Sequence, residues 1–203
     1  MPELWIGSNN KKKLGELTRL LEPLGITLRT PAELGQPFEP VEDQPDFAGN
    51  ARKKATLLAD LSGGIALADD SGLCVDALDG RPGVLSARYG GPGLDDRGRL
   101  MRLLEEMQDV PHDQRTARFV CSLCVAAPGG KVLAGMEQAC EGILRTEPTG
   151  SGGFGYDPIF VPVEYANDPE QSFAVLGAEI KDQLSHRGKA LRQLLEQLPK
   201  LLA

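Results

Sequence analysis

Residues 4–30 read LWIGSNNKKKLGELTRLLEPLGITLRT, which spells strand, loop, helix and strand in that order. The first three residues form a short apolar run closed by the small residues Gly7 and Ser8. Leu14, Leu17, Leu20, Leu21 and Leu24 then recur at helical spacing, and Gly25 stands where the residue past a helix end adopts a left-handed backbone. Residues 26–30 return as a second strand.

The same alternation continues along the chain. Beyond a Pro-rich acidic loop at residues 31–46, a second helix is predicted, with Asp46 as N-cap, Phe47, Ala51, Ala55 and Leu58 along one side, and Gly63-Gly64 past its end. Residues 65–78, IALADDSGLCVDAL, read as a strand, a turn at Asp69-Asp70-Ser71-Gly72, and another strand. A Gly- and Pro-rich loop carrying Arg88 and Tyr89 precedes a third helix, capped by Asp95 and burying Leu100, Leu103, Leu104 and Met107. Residues 118–144 read as a β-meander of two or three strands broken at Pro128-Gly129-Gly130. A glycine-rich loop, TGSGGFGYDPIFVP from Thr149, feeds one more strand, and a final helix from about Ser185 buries Leu191, Leu194, Leu195 and Leu198. The expected fold is α/β: a mixed twisted β-sheet flanked by helices, one domain over residues 1–203, elongated into two lobes around a central cleft.

Composition narrows the function. The 203 residues are 41 % hydrophobic, enough for a sizeable core. The 24 glycines and 15 prolines, about a fifth of the chain, promise many loops without reaching low-complexity levels. A net charge of −7 lacks the basic footprint that neutralises nucleic-acid phosphates, so no nucleic-acid polymer is expected as partner. A small anionic ligand stays open, since a pocket need not share the sign of the whole. No run is long and apolar enough for a bilayer and the start carries no signal-peptide pattern, so a cytoplasmic, membrane-free protein is expected. Cys74, Cys121, Cys124 and Cys140 have no disulfide-scaffold spacing. Cys121 and Cys124 form a C-x-x-C inside a strand-like run, where an offset of three puts the thiols on opposite faces, so both are expected in the core.

Four polar clusters fall at loops and helix starts. In Ser8-Asn9-Asn10-Lys11-Lys12-Lys13, a helix N-terminus meets lysines that oppose its dipole: a phosphate cradle, or a solvated basic helix start. It is not a Walker A loop. Glu42 precedes Asn50 and Lys54, which at i and i+4 share a helix face. Asp69 and Asp70 are adjacent carboxylates on an apolar strand. They are costly unless a cation shares them, as a Mg²⁺ site with Glu42 would, or unless Asp69 serves the turn. Phe154-Gly155-Tyr156-Asp157, with Lys181 and Ser185-His186-Arg187, offers an aromatic ring to stack on a base and polar groups to read its edge. The alternative for His186-Arg187 is an exposed helix start. Neither a G-x-S-x-G elbow nor a G-x-G-x-x-G after the first strand is present, and two histidines are too few for a His-rich zinc site.

In this order the clusters resemble the inosine triphosphate pyrophosphatase family. The resemblance rests on Ser8-x-Asn10-x-x-Lys13, Glu42, Phe47-x-x-Asn50-Ala51-x-x-Lys54-Ala55 and Ala68-Asp69-Asp70-Ser71-Gly72-Leu73. It continues through Pro82-Gly83, Ser86-Ala87-Arg88-Tyr89 and Gly152-Gly153-Phe154-Gly155-Tyr156-Asp157-Pro158 to Lys181 and Ser185-His186-Arg187. It spans almost the whole chain. Two departures stand out: Asn9 replaces the family's usual glycine, with altered loop geometry expected, and Glu179-Ile180-Lys181 stands where the family often has Glu-Glu-Lys.

The resemblance implies a nucleotide-binding cleft and Mg²⁺-dependent hydrolysis of deaminated purine nucleoside triphosphates (ITP, dITP, XTP) to monophosphate and pyrophosphate. It implies Glu42 and Asp70 as metal ligands, with Asp70 also taking a proton from the attacking water. Ser8, Asn9, Asn10, Lys11, Lys12 and Lys13 would hold the triphosphate together with Lys54 and Ser71. Phe154 would stack on the base within the Gly155-Tyr156 loop, and Asp157, Lys181, His186 and Arg187 would read its edge. A homodimer is expected on the same ground. The alternatives are a pyrophosphatase for pyrimidine or modified nucleotides and a nucleotide-binding protein without hydrolysis.

Overall fold

Strand β1 (Glu3–Ile6) leads into helix α1 (Lys11–Leu21), whose first turn is capped by Asn10: its Oδ1 accepts from the Lys12 and Lys13 amides at 2.9 and 3.3 Å. The computed structural model describes residues 2–202. A 3-10 turn at Glu22–Leu24 continues α1 and stops at Gly25, which takes the left-handed φ of 61° anticipated for that position. Strand β2 (Thr27–Arg29) pairs parallel with β1. Helix α2 (Phe47–Ser62) starts at Asp46, whose carboxylate accepts from the Gly49 amide at 2.7 Å, and ends at a left-handed Gly63.

Strand β3 (Ala66–Val75) pairs parallel with β1, and here the structure departs from the expected turn. Asp69-Asp70-Ser71-Gly72 lies inside one continuous ten-residue strand. Side-chain cations satisfy the two carboxylates, so neither has to turn the backbone to find amide donors. Helix α3 (Asp96–Glu106) is capped by Asp95, as predicted. Strands β4 (Thr116–Ala127) and β5 (Lys131–Leu144) resolve the meander into two strands joined at Pro128-Gly129-Gly130, and β6 (Phe160–Pro162) pairs antiparallel with β5. The mixed six-stranded sheet runs β2-β1-β3-β4-β5-β6, which bears out the α/β expectation.

Helix α4 (Phe173–Leu184) was not predicted. Gly177 breaks its helical dihedrals at φ 78°, and a glycine-interrupted pattern loses its periodicity. Helices α5 (His186–Leu195) and α6 (Leu198–Leu201) close the chain.

Two compact units make up the chain: Met1–Asp70 with Cys121–Gln138 and Arg187–Ala203, and Ser71–Val120 with Ala139–His186. In the first, Leu4, Ile6, Leu17, Leu21, Leu67, Cys121, Leu191 and Leu194 form one buried cluster, while Ala51, Ala55, Leu58, Ala66, Ala68 and Cys124 form another. Cys121 and Cys124 thus sit in different layers, as a strand offset of three demands. Burial pushes their thiols up to about 12 and about 11, which keeps them unreactive. The second unit is built on Leu73, Leu100, Leu103, Met107, Phe119, Phe160 and Phe173. There the buried Arg115 guanidinium donates to the carbonyls of Met107, Leu144 and Arg145 at 2.8–3.0 Å, tying the end of α3 to the end of β5. No helix among the described residues is long and apolar enough to cross a membrane.

Asp46→Ala removes the α2 cap without disturbing the core. Urea denaturation should show a loss of about 1 kcal/mol, with the cooperativity of the transition unchanged.

Candidate active site

Side chains alternate across a β-strand with period two. In β3 this sends Leu67 into one apolar layer of the first unit and Ala66 and Ala68 into the other. The next two residues obey the same rule: Asp69 meets residues of α1 and α5, and Asp70 meets residues of α2.

Asp70 Oδ1 accepts from the Lys54 ammonium at 2.9 Å, and Oδ2 accepts from the Asn50 amide at 3.1 Å. Lys54 also donates to Glu42 Oε1 at 2.7 Å, and Asn50 Oδ1 accepts from the Gln44 backbone amide at 3.0 Å. The i, i+4 pair on α2 is therefore turned inward, with the Lys54 side chain only 8 % exposed. It gathers Asp70 and the loop bearing Glu42. Burial pushes the Asp70 carboxyl up, Glu42 adds to that, and Lys54 and Lys13 offset it only in part. For Lys54 burial acts against the charge, but Asp69, Asp70 and Glu42 outweigh it and raise the ammonium above the ordinary lysine value.

Asp69 has the opposite surroundings. Its Oδ2 lies 3.1 Å from Lys13 Nζ and 3.0 Å from Arg187 Nη2, and the other arm of Arg187 pairs with Glu16. Burial would raise this carboxyl too, but Lys13, Arg187 and Lys54 outweigh it and hold it far below the usual carboxylate range. Two neighbouring aspartates thus have their acidities pushed apart. Asp69 is held in its ionised form by the cations around it, whereas burial raises the Asp70 carboxyl. Asp69 thus serves no turn, the place the sequence suggests for it; strand alternation of the two carboxylates is the signal that puts it on the side of Lys13 and Arg187.

At the start of α1, the Asn10 side chain occupies two amides that the helix would otherwise offer an anion, while Ser8 Oγ accepts from the Asn10 amide at 3.2 Å. Asn9 Nδ2 donates to the Phe38 carbonyl at 2.8 Å. Asn9 has no left-handed φ, so this position does not call on glycine's freedom. Lys11 and Lys12 are exposed, and Lys13 turns in to Asp69.

Glu42 and Asp70 converge on one ammonium, so the two hard carboxylates already share a cation. Among the described residues no group of three or more His, Cys, Asp or Glu forms a metal cage. A two-carboxylate donor set fits Mg²⁺, which keeps its remaining positions for water and phosphate oxygens.

The second unit holds the aromatic cluster. Asp157 Oδ2 accepts from the Phe154 amide and from Lys181 Nζ, both at 2.7 Å, and the Lys181 ammonium stands 4.5 Å from the centre of the Phe154 ring. Gly153 has to be glycine here: its φ is 68°, and a Cβ would fall 2.1 Å from Asp157 Oδ2. The Gly155 amide donates to Asp96, and Tyr156 is buried. Ser71 is half-buried just past Asp70 in β3. The His186 ring stacks on Phe119, centroids 4.9 Å apart at 11°. His186 and Arg187 are 5 % and 2 % exposed, which overturns their reading as an exposed helix start.

A model of the Ham1 family matches residues 4–197. The chain is 46 % identical to the dITP/XTP pyrophosphatase of Desulforamulus reducens over 98 % of its own length and 96 % of that protein. It is 44 % identical to the protein of the same name from Rhodopirellula baltica, covering 100 % and 95 %. Among solved structures, a HAM1 protein from Coxiella burnetii superposes with a TM-score of 0.86 at 36 % identity, covering 98 % of this chain and 100 % of that one. A nucleoside-triphosphatase / dITP/XTP pyrophosphatase from Mycobacterium abscessus gives 0.76 at 40 % identity, covering 95 % and 98 %.

Asp69→Asn leaves buried Arg187 and Lys13 short of their shared anion, and such a loss costs about 3–5 kcal/mol. Asp70→Asn should cost clearly less, because Lys54 keeps Glu42. Urea denaturation of the two variants side by side checks the order.

Proposed function

The chain belongs to the Ham1 family, and on that premise we propose that it is a nucleoside triphosphate pyrophosphohydrolase acting on deaminated purine nucleotides (ITP, dITP, XTP). The monophosphate and pyrophosphate are its products. The observation that carries this reading is the Asp69–Asp70 pair, in which one buried carboxylate is held between Lys13 and Arg187 while its neighbour, on the opposite face, meets Lys54 and Asn50 beside Glu42.

In this reading water adds its oxygen to phosphorus at the α–β linkage, the anhydride bond breaks, pyrophosphate leaves, and the proton of the water passes to Asp70. Asn50 and Lys54 hold the Asp70 carboxylate in orientation. Lys13, with Lys11, Lys12, Ser8, Asn9 and Asn10 around the start of α1, supplies charge and donors to the triphosphate, and Ser71 adds a hydroxyl. Glu42 and Asp70 would hold Mg²⁺, which neutralises phosphate oxygens when bound.

The base is assigned to Phe154 for stacking, in the loop of Gly155 and Tyr156, and to Asp157, Lys181, His186 and Arg187 for its edge. Hypoxanthine and xanthine present a 6-oxo acceptor to such donors. Adenine presents an amino group and leaves buried donors unmatched, a mismatch worth roughly 10⁴-fold in kcat/KM.

The test is kcat/KM for ITP, XTP, dITP, GTP, ATP and dTTP with Mg²⁺, read by pyrophosphate release. ITP, XTP and dITP should lead, and dTTP turned over as fast as ITP would sink the purine assignment. Asp70→Asn should lower turnover by about 10²–10⁴-fold while the protein stays folded. Wild-type protein that binds ITP without consuming it would make the chain a nucleotide-binding protein instead.

A further inference from the structure

Ser86-Ala87-Arg88-Tyr89 lies in a 3-10 turn, Gly83–Arg88, and its end, with no part assigned in the reading above. The Ser86 hydroxyl is buried and doubly used: it accepts from the Leu73 amide at 2.9 Å and donates to the Gly83 carbonyl at 2.6 Å. The carbonyl of the same residue accepts from the Tyr156 hydroxyl at 3.0 Å, a buried bond reaching across seventy residues of sequence. Strand β3, two residues past Ser71, is thereby joined through one serine to the loop of Phe154 and Asp157. Burial raises the Tyr156 hydroxyl and keeps it a donor.

The frame closes through α3. Tyr89 donates to Glu106 at 2.7 Å near one end of that helix, and Asp96 at its other end accepts from the Gly155 amide at 3.2 Å. Phe154, two residues before Tyr156, carries the ring of the aromatic cluster and Asp157, the residue after it, the carboxylate, while Tyr156 itself spends its hydroxyl on Ser86. We propose that Ser86 and Tyr156 are positioning residues for purine binding, a frame that holds the Phe154–Asp157 loop in register with strand β3. The proposal rests on the base-binding role given to that loop.

Removing one neutral buried hydrogen bond at such a joint weakens what depends on it about fivefold. Tyr156→Phe keeps the packed ring and deletes only the hydroxyl; Ser86→Ala deletes both side-chain bonds of the serine. Calorimetric binding of inosine monophosphate, which carries the base, is compared with that of inorganic tripolyphosphate, which does not. Each variant should weaken inosine monophosphate about fivefold and tripolyphosphate less than twofold, and KM for ITP should rise by more than kcat falls. The double variant should be weaker by less than the product of the single effects, since both act through one joint. Equal weakening of the two ligands, or no weakening of either, overturns the proposal. Wild-type protein that binds tripolyphosphate but not inosine monophosphate instead overturns the base-binding role itself, which separates the two failures.

Discussion

Two carboxylates lie side by side, buried, in the middle of one strand, and neither can keep its charge there without a cation of its own. Desolvation of each ion costs several kcal/mol, and because the strand sends them to opposite faces each carboxylate bonds directly to a different set of donors. The layers on the two sides answer separately. Helix α1 and the start of α5 bring Lys13 and Arg187 to Asp69, and α2 brings Lys54 and Asn50 to Asp70. The Glu42 loop is drawn in by the same lysine, so the backbone path ahead of α2 also follows from the charge requirement.

That arrangement decides where a chain of net charge −7 keeps its inner cations. The acidic balance describes the molecule as a whole, whereas Lys13, Lys54 and Arg187 are gathered by the buried aspartates. It also turns a pair of identical residues into two different groups. Asp69 is over-compensated and stays ionised; Asp70 is under-compensated and gains basicity. The aromatic cluster of the second unit works on another principle, with Asp157 holding its own loop through Lys181 and the Phe154 amide.

Much of this was legible before any coordinates. Asp46 and Asp95 stand at the helix starts that their side chains cap, and Gly25 and Gly63 stop the turns they were expected to stop, whereas the Asn10 cap of α1 reads in the sequence only as part of a cradle for phosphate. These are local decisions, settled by hydrogen bonds within three or four residues. The Asn50–Lys54 spacing on α2 likewise announced a shared face. The turn read at Asp69–Gly72 failed because a D-D-S-G run satisfies turn chemistry and strand geometry equally well until the cations that meet the carboxylates are known. Helix α4 failed because Gly177 interrupts its period, and the burial of His186 and Arg187 depends on Phe119, Asp69 and Glu16, all far away in sequence.

What the amino-acid order determined by itself is therefore the list of elements with short-range causes, together with the charged, polar and aromatic groups that stand at loops and helix starts. Caps, periodicity and strand alternation act over a few residues, and a single sequence contains all of their terms. Which carboxylate faces which cation, and that Ser86 joins a strand to a loop seventy residues on, was decided only by the tertiary structure. Those outcomes depend on which distant segments desolvate each other, and a buried charge or hydroxyl takes its character from the partner it meets.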